Sequence, residues 1–168
     1  LKKEDLSRQF KKLSRAYLSE DKQKKLVEIS ELSNKTFGNF ISGQFLEAII
    51  IGILCFIGMM ILRIPYAATI SVLVGFTALI PVFGAFIGTI VGAFLILMVD
   101  PTKALIFVIF ILILQQLEGN LIYPKVVGTS VGLPGLWVLV AVTVGASIGG
   151  ILGMLLSVPI CSIIYSIV

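Results

Sequence analysis

Few residues of this chain are equipped for chemistry in an apolar setting. Beyond residue 38 the only carboxylates are Glu47, Asp100 and Glu118, and the whole chain has no histidine. That excludes histidine proton relays, histidine-based triads and the commonest zinc ligand. The densest polar stretch of this half is Gln115-Gln-Leu-Glu-Gly-Asn120, followed by Leu121-Ile-Tyr-Pro-Lys125. Gln and Asn both donate and accept hydrogen bonds, so Gln115, Glu118 and Asn120 facing one cavity would suit a polyhydroxylated solute. Glu118 is also the carboxylate suited to alternating between a proton and a monovalent cation. A carboxylate at depth in a bilayer is costly and by default functional. Asp100, before Pro101, reads instead as a helix N-cap, and Glu47, near the start of an apolar run, reads as interfacial. No nucleophile–base pair and no metal-ligand cluster stands out, so neither an enzyme nor a cofactor is expected.

The elements that must position these residues are apolar helices. The chain has 168 residues, 58% hydrophobic and 13% charged, against about 45–50% and about 25% in globular domains. That composition is one of an integral membrane protein, and mean hydropathy is +1.09. Cys55 and Cys161 both sit in apolar runs; they read as small apolar filler, not as a disulfide framework. The chain opens on Leu1 and a charged arm, with no signal-peptide pattern, and reads as the C-terminal part of a longer protein.

Residues 1–38 form that arm, with ten basic and six acidic side chains that account for the net charge of +4. Leu6, Phe10, Leu13 and Tyr17 recur at helical spacing, and Ser19-Glu20-Asp21 reads as the start of a second helix with acids at its positive end. The arm is expected to be an amphipathic helical element on the cytoplasmic side by the positive-inside rule. Its basic residues are interleaved with acids, so nucleic acid is not an expected partner; membrane lipid is.

Residues 39–168 are expected to form a polytopic, all-α membrane domain with broken or kinked helices. Phe37 to Gln44 reads as the membrane entry, and the first span as about 45–62. Tyr66 to Val99 carries no charge and exceeds the ~20 residues that one crossing needs. Pro81 and Gly84 must divide it into about 66–80 and 84–99, because proline lacks a donor and glycine leaves helical geometry cheaply. In hydrocarbon, freed backbone groups are tolerated where protein or a water-filled cavity satisfies them. The break therefore points toward a path or site, or makes a hairpin. Helices follow over about 101–118, 134–147 and 149–168. Gly84, Gly88 and Gly92, and again Gly145, Gly149 and Gly153, form small-residue faces suited to close helix packing in lipid. Residues 84–95 align without gaps on 145–156. A duplication would make 77–99 and 138–160 superposable.

The motifs, in order, are Gly43-Gln44 with Glu47-Ala48, Ile64-Pro-Tyr66, Ile80-Pro-x-x-Gly84, Gln115-x-x-Glu118-x-Asn120-x-x-x-Pro124, Leu133-Pro134, Gly149-Gly150-x-x-Gly153 and Pro159. This order resembles the C-terminal portion of the autoinducer-2 exporter family of multi-pass bacterial membrane proteins. The resemblance implies transport in the cytoplasmic (inner) membrane and a homo-oligomeric assembly. The residues themselves read as those of a secondary transporter or exporter of a small polar solute, with Gln115, Glu118, Asn120, Pro81, Gly84, Gln44 and Glu47 along the path. Two alternatives stay open: a sodium(lithium)/proton antiporter centred on Glu118, and a channel-like oligomer in which the glycine faces serve packing alone. No nucleotide-binding loop is present, so a gradient or downhill flow would drive transport.

Overall fold

The structure, a computed structural model, describes residues 20–123, 125–126 and 133–167, with side-chain environments from residue 27 onward. The first half of the arm, with Leu6 to Tyr17, and Pro124 lie outside the described residues. Every regular element among them is helical: α1 Glu20–Ile61, α2 Ala67–Ala78, α3 Phe83–Leu97, α4 Pro101–Leu117 with a π-helical turn Glu118–Ile122, and α5 Gly135–Ile167. Residues up to Lys35 form one compact unit and Thr36–Val168 a second. Val27–Ile61, Pro101–Ile122 and Leu136–Ser166 are long and apolar enough to cross a membrane. The helices are apolar outward as well as inward: Ile90, Phe94 and Leu105 are all more than half exposed. Helices that are apolar all round belong in lipid. The protein is an all-α membrane helix bundle.

α1 is a single helix of 42 residues, about 63 Å at 1.5 Å per residue. It passes without interruption through 37–44, where the sequence suggests an interfacial entry. Gly38 and Gly43 do not break it, because helical φ/ψ is open to glycine at a cost of only about 1 kcal/mol. Its inward face is a stripe at three- and four-residue spacing: Phe40, Gln44, Glu47, Ile51, Cys55 and Met59, all buried. Ile51, Cys55 and Met59 join Ile70 and Val74 of α2, Ile96 of α3, and Phe107, Ile111 and Leu114 of α4 in the larger apolar core. Phe40 belongs to a second core with Val142 and Val158 of α5. Gln44 and Glu47 lie on the stripe between the two cores.

α1 stops where Arg63 takes φ 51° and Ile64 N–H closes onto the Met59 carbonyl at 2.9 Å. This is the left-handed termination usually given to glycine. The Lys103 ammonium donates to the Leu62 carbonyl at 2.8 Å, satisfying an acceptor the helix end leaves open.

α2 and α3, of 12 and 15 residues, are each shorter than the ~20 residues of a full crossing. They fold into an antiparallel hairpin about Pro81. A Cβ on Gly84 would strike the Thr77 carbonyl, one on Gly88 would lie 3.2 Å from Val74 Cα, and one on Gly92 would lie 3.0 Å from Ile70 Cγ2. The backbones approach because these positions have no side chain, which is how dispersion contacts are gained in lipid. At the tip, Phe83 N–H donates to the Pro81 carbonyl at 2.8 Å, enclosing Val82 at φ 67°, ψ −54°. That is a γ-turn with positive φ, a rare and strained conformation, and Val82 is β-branched.

α5 also folds back. Gly149 and Gly150 leave helical geometry, with Gly150 at φ 56° and ψ −137°. Gly145 and Gly153 then face each other so closely that a Cβ on either would collide with the other's carbonyl. Gly149 does not share this contact: it lies at the break, with nothing within 4 Å of an added Cβ. The glycine alignment of 84–95 with 145–156 is therefore not a duplicated backbone. The first segment lies within the continuous helix α3, whereas the second turns at its centre. The match reflects equal spacing of small residues, used differently.

Candidate membrane-embedded site

The two apolar cores leave a cavity of about 430 Å³ between them. Four elements meet there. α1 presents Gln44 and Glu47, the α2–α3 turn presents Ile80, Pro81 and Val82, and the π-helical turn leads in Glu118 and Tyr123. The start of α5 closes the cavity with apolar side chains, among them Val138 and Leu139.

Gln44 is 2% exposed and Glu47 is 1% exposed. Three residues apart on one helix, they lie on the same face, and Gln44 Nε2 donates to Glu47 Oε2 at 2.5 Å. The same nitrogen donates to the Ala78 carbonyl at 3.0 Å. Both amide hydrogens are thus used, which orients the group, and Gln44 Oε1 is left buried without a hydrogen-bond partner. Glu118 lines the same cavity as Glu47. Two carboxyls, one vacant amide acceptor and a phenol thus share one largely apolar chamber.

Glu47, which reads as interfacial in the sequence, is buried inside the protein, because the stripe at 40, 44, 47 and 51 turns it inward. That periodicity is the signal in the sequence that locates it. Glu118 reaches the cavity from the end of α4. Gln115, one turn earlier, does not line it: its amide donates to Thr89 Oγ1 at 2.9 Å and to the Ala85 carbonyl at 3.2 Å, tying α4 to α3. Asn120 is exposed and bonds back to the Gln116 carbonyl at 2.9 Å. Of the expected facing set of Gln115, Glu118 and Asn120, Glu118 lines the cavity, together with Gln44 and Glu47. Two residues beyond Glu118, Asn120 falls on another side of the helical turn. Pro81 lines the cavity, whereas Gly84, the second residue of α3, is buried in the hairpin contact. Asp100 is the N-cap of α4, accepting from Thr102 N–H at 2.9 Å and Lys103 N–H at 3.1 Å.

No solved structure matches this chain. Among curated proteins it is similar to "Putative transport protein YueF" of Bacillus subtilis, 36% identical over 129 residues, covering 77% of this chain and 35% of that protein. It is similar to "Putative transport protein sll0063" of Synechocystis, 35% identical over 130 residues, 77% of this chain and 33% of that one. "Putative permease PerM" of Escherichia coli K12 is 32% identical over 137 residues, 80% of this chain and 39% of that protein. The chain thus spans little more than a third of the length of these relatives. The model of the family described as AI-2E family transporter matches residues 7–168. With nearly its whole length matched, the chain belongs to the AI-2E transporter family.

Proposed function

We propose that this chain carries the solute site of a secondary transporter that moves a small polar solute across the bacterial cytoplasmic membrane, and that the cavity at Gln44, Glu47 and Glu118 is that site. The observation that carries the reading is the buried, unpartnered Gln44 Oε1 beside two carboxyls in a chamber of about 430 Å³. Such a volume suits a small molecule, and a mostly apolar wall with a few converging polar groups is the usual make-up of a binding pocket. Buried acids within a membrane domain are costly to keep, which favours a role in transport over one in packing. On this reading the basic arm faces the cytoplasm, and the protein works as a homo-oligomer in lipid. Autoinducer-2, which names the family, is the first solute to assay. The test is flux into liposomes carrying the intact protein or its Gln44→Leu variant. At least tenfold loss is expected in a variant that remains folded and monodisperse; undiminished flux would remove the cavity from the path.

A second reading, sodium(lithium)/proton exchange, is favoured by one specific feature, the meeting of Glu47 and Glu118. A cation site that alternates with a proton needs such carboxyls. It predicts sodium-driven proton movement that is lost in Glu118→Gln, and its absence from the unmodified protein would dismiss it.

A further inference from the structure

We infer that the cavity selects a small organic ammonium, a cation with N–H donors on an apolar body, and exchanges it for one proton held between Glu47 and Glu118. The inference rests on the reading of the cavity as the solute site and narrows the solute to a chemical class.

The first argument is the sign of the hydrogen-bonding capacity. Both amide hydrogens of Gln44 are spent, on Glu47 and on the Ala78 carbonyl. What Gln44 has left is the acceptor Oε1, buried and unpartnered. Glu47 and Glu118 accept through their remaining oxygens. Among the described residues of the lining, Tyr123 supplies the one side-chain hydroxyl. The basic residues beyond the arm stand elsewhere: Lys103 is tied to the Leu62 carbonyl, and Arg63 and Lys125 are exposed. Among the described residues, the chamber therefore has acceptors in surplus and no cationic side chain in its lining. A carboxylate or phosphate would meet two carboxyls with nothing to neutralise it. A donor with positive charge would satisfy Oε1 and both acids together.

The second argument is charge balance. Two carboxyls that share one proton carry a single negative charge. When an ammonium inserts, its N–H groups replace the O–H link, and the shared proton leaves to water. Two carboxylates and one ammonium again total one negative charge. The exchange leaves the net charge of a low-dielectric chamber unchanged, which avoids the large cost of adding or removing a charge there. A neutral polyol displaces no proton and lacks this coupling. The third argument is the make-up of the wall. Ile80, Pro81, Val82, Val138 and Leu139 line the same chamber as the acids, which suits an amphipathic cation better than a bare ion, whose hydration shell such side chains cannot replace.

The test uses three probes with one apolar body: benzylammonium, benzyl alcohol and benzoate. Each is titrated onto the intact purified protein in weakly buffered lipid nanodiscs, with binding read by calorimetry and proton release by a pH dye. Benzylammonium is expected to bind at least tenfold more tightly than benzyl alcohol, with benzoate not bound, and to release close to one proton. The groups facing the exchange site are Glu47 of α1, Glu118 of the π-helical turn and Tyr123 beside it. One-for-one competition between ammonium and proton weakens apparent affinity tenfold for each unit that pH falls within the range where the pair holds its one proton. Glu118→Gln is expected to lose both the binding and the proton release; Glu118→Asp, which keeps the carboxyl, retains proton release if the first variant is unstable. Equal binding of the alcohol or the acid would overturn the inference, as would failure of all three probes. Proton release on adding sodium but not benzylammonium would overturn it in favour of a bare ion. Each of these leaves the wider reading to the Gln44→Leu flux test, so the two fail separately.

Discussion

Replacing Gly84 with Ala tests the hairpin that shapes one wall of the site. An added Cβ would overlap the carbonyl carbon and oxygen of Thr77 and stand 2.9 Å from Ala78 Cα. All three are backbone atoms, so no rotamer change relieves the contact. Either α3 moves away from α2, opening Gly88 from Val74, or the tip deforms around Val82, which is already strained. Overpacking of a kind that cannot relax costs about 3 kcal/mol, the upper part of the usual range. For a chain of this size that corresponds to a fall of roughly 6–12 °C in Tm. The assay is thermal unfolding in detergent, followed by helix circular dichroism and by the monodisperse fraction on gel filtration. Gly149→Ala is the control, because nothing lies within 4 Å of a Cβ there; a change of no more than about 0.5 kcal/mol is expected for it. A Gly84→Ala protein melting within about 2 °C of the parent would refute the close-packed hairpin. An equal loss in both variants would show that the collision is not the cause.

Other substitutions separate structural polar residues from those of the site. Asp100→Ala removes an acceptor for Thr102 and Lys103 N–H and should cost about 0.5–2 kcal/mol by thermal unfolding, with Asp100→Asn recovering most of it. Gln115→Leu breaks the tie to Thr89 and Ala85; a loss of about 1 kcal/mol is expected, with solute flux retained, so that lost flux at unchanged stability would return Gln115 to the path. Asn120→Leu, at an exposed position bonded only to Gln116, should leave flux and Tm unchanged, and a fall in either would contradict its placement outside the cavity. Gly145→Leu should prevent the two arms of α5 from meeting at Gly153, read as loss of monodisperse protein; normal yield would argue against that contact.

How much of this was legible beforehand varies from element to element. The start of α4 is a local matter: Asp100-Pro101 is a cap followed by a residue preset for the first helical turn, and no distant contact is needed to see it. The breaks at Pro81 and at Gly149-Gly150 are legible for the same reason, since missing donors and missing Cβ atoms act within a few residues. Glu47 was harder. Its neighbours are apolar on both sides, so hydropathy places it at a boundary, and only the stripe from Phe40 to Met59 shows that it turns inward. The pairing of Gln115 with Thr89, which takes Gln115 out of the cavity, has no local signature at all.

Composition and charge by themselves determined that this is a helical membrane protein, because 58% apolar residues with 13% charged cannot be hidden in a core of this size. Motif order determined the family, and proline, glycine and capping residues determined where helices break. Tertiary structure alone decided that Gln44, Glu47 and Glu118 share one chamber while Gln115 and Asn120 do not. Gln44 and Glu47 share α1, whereas Glu118 comes from the end of α4, far along the chain. Their meeting depends on how α1 packs against the α2–α3 tip and the end of α4, a sum of long-range contacts that local spacing does not encode.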